Sequence, residues 1–445
     1  MNQNDDFRHL MDALPADVDR RVKAGDIAGA LRLIEGYLSA GEQPEPAPRL
    51  RAERARLLRL EANYPYTKEE ALAQVREEWP EFTEEQFDTL VDHRRIDWRY
   101  VNGRAQYHDR FLSCVRLYAE KEAPGLKVEP EDHTQRDEML SRMEKAGALT
   151  AVLTLKASIK ASSPSAGRKV QAWLPIPADC PQQSEIEILS ATPGYTLAPP
   201  DSPARTICWE SGERDSFEVI YRYKHRAVYV DPFTLKCDDV QPTFDTQEEL
   251  PHIAFTPYLR ELTARITKDC KTPVEKAGAI YDYVTENVDY RYQPAYVLLD
   301  NIADSCAKEL RGDCGVMALL FITLCRIAGV PARWQSGLSA KPDDAGAHDW
   351  AMFYVAPYGW LYADPSFGSG ARRNGEISRR KHYFGNLDPC RMVANSVFQA
   401  PLTPPDPCYR NDPYDNQLGE MTVDGVGLWG EQMERSVETV EFQFL

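Results

Sequence analysis

Three residues of this chain carry the side-chain types that covalent thiol catalysis requires. Cys314 stands in the sequence Gly-Asp-Cys-Gly, His348 in Ala-His-Asp-Trp and Asp364 in Tyr-Ala-Asp-Pro. A thiolate can attack a carbonyl carbon, an imidazole can hold and return the proton, and a carboxylate can fix the imidazole tautomer. The three residues therefore indicate a Cys-His-Asp triad that acts on acyl groups.

The segment after Cys314 has the pattern of a strongly apolar helix that stops at Gly329 and the nearby Pro331. Cys314 would lie at the amino terminus of this helix, where unsatisfied N–H groups and the helix dipole favour a thiolate. Gly315 leaves the neighbouring backbone open to a substrate and is a candidate for the substrate cleft. A cysteine at a helix start is more often an inert thiol, so the interpretation depends on its partners.

The two partners are placed at the ends of adjacent predicted strands. His348 begins an alternating, aromatic-rich strand, and Asp364 ends the next one. Antiparallel pairing brings the start of one strand beside the end of the next, so we expect His348 and Asp364 to be neighbours. Because alternate side chains point to opposite faces, Trp350 and Tyr362 are candidates to line a cleft for an extended peptide.

These motifs, in this order, resemble the transglutaminase-like superfamily, whose core relates to papain-like cysteine proteases. The resemblance covers about residues 259–384 and implies that Cys314 is the nucleophile, His348 the general acid/base and Asp364 its orienting acid. Animal protein-crosslinking members have Gly-Gln-Cys-Trp at the nucleophile, whereas this chain has Gly-Asp-Cys-Gly. That is the form of bacterial and archaeal members thought to be mostly proteases or amidases, so crosslinking is disfavoured.

The tetrahedral intermediate of acyl transfer needs hydrogen-bond donors for its oxyanion. The backbone N–H of Cys314 is the first candidate. Tyr292 and Gln293 are candidates for the second donor, by analogy with the glutamine that precedes the cysteine in papain-like sites. A loop aromatic and a solvated amide are equally good descriptions of these two residues.

The function that these residues predict is a thiol-dependent hydrolase of peptide or other amide bonds, working through an acyl-enzyme on Cys314. One alternative is transamidation, in which an amine replaces water and every catalytic residue is the same. The other is a noncatalytic protein-interaction module. The expected partner is a peptide, a protein or a small amide substrate.

Composition and charge exclude several other classes of protein. No apolar run reaches the ~20 residues of a membrane-spanning helix, and the net charge of −17 opposes binding to nucleic acid or to anionic membranes. No secretory signal is visible at the amino terminus, which predicts a cytoplasmic protein. The ten cysteines form no Cys-x-x-Cys pairs and no acidic calcium loop is evident, so neither a metal nor a cofactor is expected.

The chain as a whole is predicted to be α+β, with four regions. A helical region over 1–65 and a winged-helix-like module over 66–148 precede an antiparallel β-sandwich over 149–245 and a papain/transglutaminase-like catalytic core with a carboxyl-terminal extension over 246–445. Helix starts at Thr67, Thr83 and Thr272, a hairpin turn at Asn102-Gly103 and a period of two from about residue 149 support this division. Because acids outnumber bases in the winged-helix-like module, we expect a structural or protein-contact role rather than DNA binding.

Overall fold

The computed structural model describes residues 9–40, 47–122, 132–165, 167–406, 408, 410 and 416–445, which fall into two compact units. The first comprises Met1–Asp132 with Arg291–Asp300, and the second comprises His133–Tyr290 with Asn301–Leu445. Helices and β-sheets are both abundant, in agreement with the α+β composition that the sequence predicts. The first eight residues lie outside the described part of the chain.

The described part of the first unit consists of helices and one hairpin. Thr67 and Thr83 each cap a helix through a reciprocal capping box, as their sequences predict. The hairpin turn at Asn102-Gly103 has positive φ at both residues, which is the geometry that an Asn-Gly pair adopts most readily. The predicted order of helix, helix and hairpin is therefore present, while its winged-helix character stays a prediction. The elements are α1 (Ala16–Lys23), α2 (Ile27–Ser39), α3 (Ala47–Asn63), α4 (Lys68–Glu78), α5 (Glu84–Asp92), β1 (Trp98–Val101), β2 (Arg104–Tyr107) and α6 (Phe111–Glu122).

The second unit begins with one helix and six strands, continues with the helices and strands around the candidate triad, and ends with three strands. Its elements are α7 (Thr134–Ala146), β3 (Ala148–Ala161), β4 (Val170–Pro175), β5 (Gln183–Ala191), β6 (Tyr195–Leu197), β7 (Thr206–Ser211), β8 (Ser216–Val228), α8 (Pro257–Ile266), α9 (Pro273–Asn287), β9 (Asp289–Tyr290), α10 (Ile302–Glu309), β10 (Arg311–Gly312), α11 (Cys314–Ile327), β11 (Ala332–Lys341), β12 (Asp344–Val355), β13 (Gly359–Ala363), α12 (Pro365–Arg373), α13 (Ile377–His382), β14 (Phe384–Gly385), β15 (Arg391–Asn395), β16 (Glu420–Val423), β17 (Val426–Gly427) and β18 (Met433–Phe444).

Two antiparallel sheets form around the alternating segments that the sequence places after residue 149. Their strand orders are β17-β16-β4-β7-β6 and β18-β3-β8-β5. Inward side chains such as Leu155, Trp209 and Tyr221 from the two sheets share one buried cluster. Both sheets also contain strands from the end of the chain, because β16 pairs with β4 and β18 pairs with β3. The sequence interpretation had placed these last residues with the catalytic region.

A third antiparallel sheet, of order β14-β13-β12-β11-β15, supports the candidate triad. β12 pairs with β13 so that Ala351 lies opposite Ala363, which brings the start of β12 towards the end of β13. Phe321 of α11 packs edge-on against Phe353 of β12, with ring centroids 6.1 Å apart. This packing fixes α11 against the sheet that carries His348.

No helix in the described ranges has the length and apolarity needed to cross a bilayer. All ten cysteines lie within those ranges, and the structure joins none of them in a disulfide.

Candidate active site

Cys314 is the first residue of α11, as the sequence predicts. Asp313 caps the helix, since its Oδ1 accepts a hydrogen bond from the Val316 N–H at 3.2 Å. The helix that follows is apolar and almost wholly buried. Cys314 therefore stands on a rigid support, at a helix end where the first N–H groups have no acceptor within the helix.

The thiol of Cys314 donates a hydrogen bond to the Asp349 carboxylate, with Sγ 3.2 Å from Oδ2. Burial raises the pKa of the Cys314 thiol well above its ordinary value, and the negative charges of Asp349 and Asp313 raise it further. These effects act against the thiolate that the helix terminus was expected to favour, so the ionisation of Cys314 stays a prediction.

His348 and Asp364 form the second half of the site, with Nε2 2.7 Å from Oδ2. The other Asp364 oxygen accepts hydrogen bonds from the Ser366 hydroxyl at 3.0 Å and from the Phe367 N–H at 2.9 Å. Burial acts to raise the pKa of Asp364, but His348 and Arg391 outweigh it and hold this pKa below its usual value. Because the carboxylate is ionised, the proton of the neutral imidazole lies on Nε2, and Nδ1 is left to exchange a proton.

The His348 ring lies between aromatic neighbours in the buried interior. Its centroid is 4.3 Å from that of Phe367 and 6.0 Å from that of Trp350. Burial lowers the pKa of His348, although Asp364 opposes the shift. The imidazole is thus neutral at physiological pH, which is the form that a general base needs.

Arg391 is a member of the site that the sequence interpretation missed. It is fully buried, its Nη1 lies 3.0 Å from Asp364 Oδ2, and its Nη2 donates to Asp388 Oδ2 at 2.8 Å. The contact with Asp364 is not aligned as a hydrogen bond, so it acts mainly through charge. The guanidinium also stacks over Phe367, 4.5 Å from the ring centroid. Nothing in the spacing of β15 marked this arginine in advance.

Gln417 is a second member that the sequence did not reveal. Its side-chain amide donates to Asp349 Oδ1 at 2.5 Å and to the His348 carbonyl oxygen at 3.0 Å. It lies just before β16, more than fifty residues after the candidate triad ends. Asp349 itself was visible as the residue after His348, but sequence reasoning gave it no role.

Trp350 does not line an open cleft, contrary to the expectation from strand alternation. Its side chain is fully buried and packs in one cluster with Leu387 and Val393. Its indole N–H donates to Gln335 Oε1 at 2.7 Å. The face of β12 that carries Trp350 is covered by the neighbouring segments, so this tryptophan is part of the core.

The remaining cleft candidates differ in their surroundings. Tyr362 is half-buried and contributes, with Gln182, His225 and Leu387, to the wall of a cavity of about 300 Å³. Gly315 is buried in the first turn of α11.

The candidates for the second oxyanion donor belong to the first compact unit. The Arg110 guanidinium lies over the Tyr292 ring, with its Cζ atom 4.4 Å from the ring centroid. The Gln293 side-chain amide donates to the Arg291 carbonyl oxygen at 2.9 Å. Their part in the site stays a prediction, as does that of the Cys314 backbone N–H.

Among the described residues, no group of three or more His, Cys, Asp or Glu side chains is arranged to hold a metal ion. The chemistry that this site can perform is acyl transfer through a thiol, an imidazole and an orienting carboxylate.

Comparisons with known proteins identify the region that holds the three residues. Residues 260–365 match the model of the transglutaminase-like superfamily. "Uncharacterized protein YebA" of Bacillus subtilis (strain 168) is 27% identical over 129 residues, an alignment that covers 25% of this chain and 17% of YebA.

Two solved structures show weaker likeness. The "Putative Cysteine Protease from Cytophaga hutchinsonii" is 15% identical with a TM-score of 0.41, covering 66% of this chain and 91% of that one. The periplasmic domain of TgpA from Pseudomonas aeruginosa is 14% identical with a TM-score of 0.29, covering 55% and 96%. Residues 260–365, which hold all three candidate triad residues, are thus the part of this chain that is similar to the transglutaminase-like superfamily.

Proposed function

We propose that this protein is a thiol-dependent hydrolase that cleaves peptide or other amide bonds through an acyl-enzyme on Cys314. The observation that carries the proposal is the 2.7 Å contact of His348 Nε2 with Asp364 in the same unit as a cysteine at the start of a buried helix. The contact fixes the imidazole tautomer and leaves Nδ1 for proton exchange. The match of residues 260–365 to the transglutaminase-like superfamily model supports this chemistry.

The reaction divides into two steps. In the first, His348 takes the Cys314 proton, Sγ attacks the carbonyl carbon, and the imidazolium returns the proton to the leaving amine. In the second, His348 deprotonates a water molecule that attacks the thioester and regenerates the thiol. Asp364 stabilises the imidazolium in both steps, and the N–H groups at the start of α11 are suited to the oxyanion.

An activated ester, 4-nitrophenyl acetate, tests the acyl-enzyme without knowledge of the natural substrate. We expect a burst of 4-nitrophenol equal in amount to the enzyme and an acetyl group on Cys314, found by mass spectrometry. Cys314→Ala should abolish both. Cys270→Ala, which removes a partly exposed thiol outside the site, is the matched control and should leave the burst intact. Equal bursts from the wild type and Cys314→Ala would refute the proposal.

Hydrolysis and transamidation share these residues, so the acceptor must be tested separately. We expect that adding a primary amine to the acetylated enzyme leaves acetate as the main product. Acetylated amine as the main product would instead assign the transamidation activity. A panel of fluorogenic peptide amides then narrows the substrate class.

A further inference from the structure

Asp349 touches the nucleophile of the proposed reaction, and each of its carboxylate oxygens has a separate partner. Oδ2 accepts the hydrogen bond of the Cys314 thiol, and Oδ1 accepts that of Gln417. Asp349 is buried, with only 4% of its surface exposed. A buried carboxylate is stable only when it is hydrogen-bonded in this way, so Asp349 is held in place against Sγ.

Asp349 and His348 are consecutive on β12, and consecutive side chains of a strand point to opposite faces. His348 turns its Nε2 to Asp364, at the end of β13. Asp349 lies on the face that also carries Phe353, which packs against Phe321 of α11. In this arrangement the Cys314 thiol donates its hydrogen bond to the Asp349 carboxylate. The proton that catalysis must remove from Sγ is therefore the one in this hydrogen bond.

We infer that Asp349 holds Cys314 in a resting, protonated state, which the thiol leaves for His348 before it attacks. The second half of this inference rests on the proposed function. Cysteine has a single side-chain torsion with three staggered positions, and rotation about it is the movement that we infer for the release of Sγ from Asp349. The proton then moves from Sγ to His348 Nδ1, and Asp364 stabilises the resulting imidazolium beside the thiolate.

The charged and titratable groups around Cys314 lie on α11 and β12, or contact His348. Asp313 caps α11, Asp349 and His348 lie on β12, and Asp364 and Arg391 stand behind His348. Both carboxylates next to the thiol favour its protonated form by charge.

Asp349 alone of these two carboxylates also accepts the S–H hydrogen bond, whereas Asp313 accepts from the Val316 N–H. Replacing each by asparagine removes one negative charge in both cases. Comparison of the two variants therefore separates the hydrogen bond from the charge.

The test is the pH dependence of Cys314 alkylation by iodoacetamide, followed by mass spectrometry of the full-length protein after trypsin digestion. Cleavage after Arg311 and Arg326 gives a peptide with two cysteines, Cys314 and Cys325. Cys325 is fully buried, so its alkylation reports unfolding in the same peptide. We expect the wild-type midpoint above the ordinary thiol value of about 8.5.

Asp349→Asn should lower this midpoint by about one pH unit or more, and Asp313→Asn should lower it less. Since a thiolate of lower pKa is also a weaker nucleophile, the rate at pH 7 should rise about threefold for each unit. Asp349→Glu should restore a raised midpoint. In the acetylation assay at pH 7, Asp349→Asn should form the acyl-enzyme faster than the wild type.

An unchanged or higher midpoint in folded Asp349→Asn would overturn the inference. So would slower acetylation in that variant, since it would make Asp349 the proton acceptor of the reaction. If Asp349→Asn exposes Cys325, the inference is tested on the wild type alone. A wild-type midpoint of Cys314 alkylation at or below the ordinary thiol value would then exclude a resting thiol. Alkylation does not require acyl transfer, so a missing acetylation burst would refute the proposed hydrolase while leaving the alkylation result to stand.

Discussion

Arg391 Nη1 lies 3.0 Å from Asp364 Oδ2, the same oxygen that contacts His348. Arg391 also bonds Asp388, so one buried guanidinium serves two buried carboxylates. Together with His348, this charge holds the pKa of Asp364 below its usual value although the residue has no exposed surface. The orienting acid of the candidate triad thus depends on a cation that follows it by 27 residues in the chain.

Replacing Arg391 by methionine should destabilise the protein strongly. The change leaves Asp364 and Asp388 buried without their cation, which typically costs about 3–5 kcal/mol. Urea unfolding followed by circular dichroism measures the loss.

The matched control is Arg333→Met, which removes a partly exposed arginine paired with Asp245. An exposed ion pair contributes at most about 1 kcal/mol. Similar losses in the two variants would contradict a special role for the buried network.

Asp364→Asn should slow acetylation of Cys314 by at least about 100-fold, because the amide no longer fixes the Nε2–H tautomer or stabilises the imidazolium. The burst phase with 4-nitrophenyl acetate measures this rate. Asp343→Asn, at an exposed position before β12, is the control and should react like the wild type. A wild-type burst rate in Asp364→Asn would remove Asp364 from the mechanism.

Gly337 is predicted to be intolerant of a side chain. It pairs with His348 on one side and with Val393 on the other, and an added Cβ would overlap the Met392 carbonyl oxygen. Gly337→Ala should push β15 away from β11 and lower the free energy of unfolding by about 1–3 kcal/mol. Thermal and urea unfolding test this. Gly346→Ala on β12, where a Cβ meets nothing within 4 Å, should be tolerated.

Folding stability should fall as the pH is lowered from 6 to 4, partly because of His225. Burial lowers the pKa of this imidazole to about 3 in the folded protein, against about 6.5 in an unfolded chain. Between these values the unfolded chain binds a proton that the folded one does not, so each pH unit removes about 1.4 kcal/mol of stability. Urea unfolding at several pH values measures this dependence. The free energy of unfolding of His225→Gln should change less steeply with pH than that of the wild type. Parallel slopes would contradict this assignment.

Local signals in the sequence located the parts of the site that depend on their own segment. The apolar run after Cys314 and the Gly-Pro stop specify α11, since helix caps and periodicity act over a few residues. Alternation of apolar and polar residues specifies β12 and β13. Pairing of adjacent antiparallel strands then places His348 beside Asp364, which is why this contact follows from the sequence.

Other contacts are decided only by the tertiary structure. Asp349 meets the thiol because α11 packs on its face of β12, and Arg391 reaches Asp364 because β15 pairs with β11 rather than with a sequential neighbour. Gln417, which contacts Asp349, lies just before β16, a strand that pairs with β4 in another sheet. Such contacts depend on sheet order and register, which residue patterns within one segment do not encode. The sequence by itself thus determined which residues could react, and the tertiary structure decided which carboxylate contacts the Cys314 thiol.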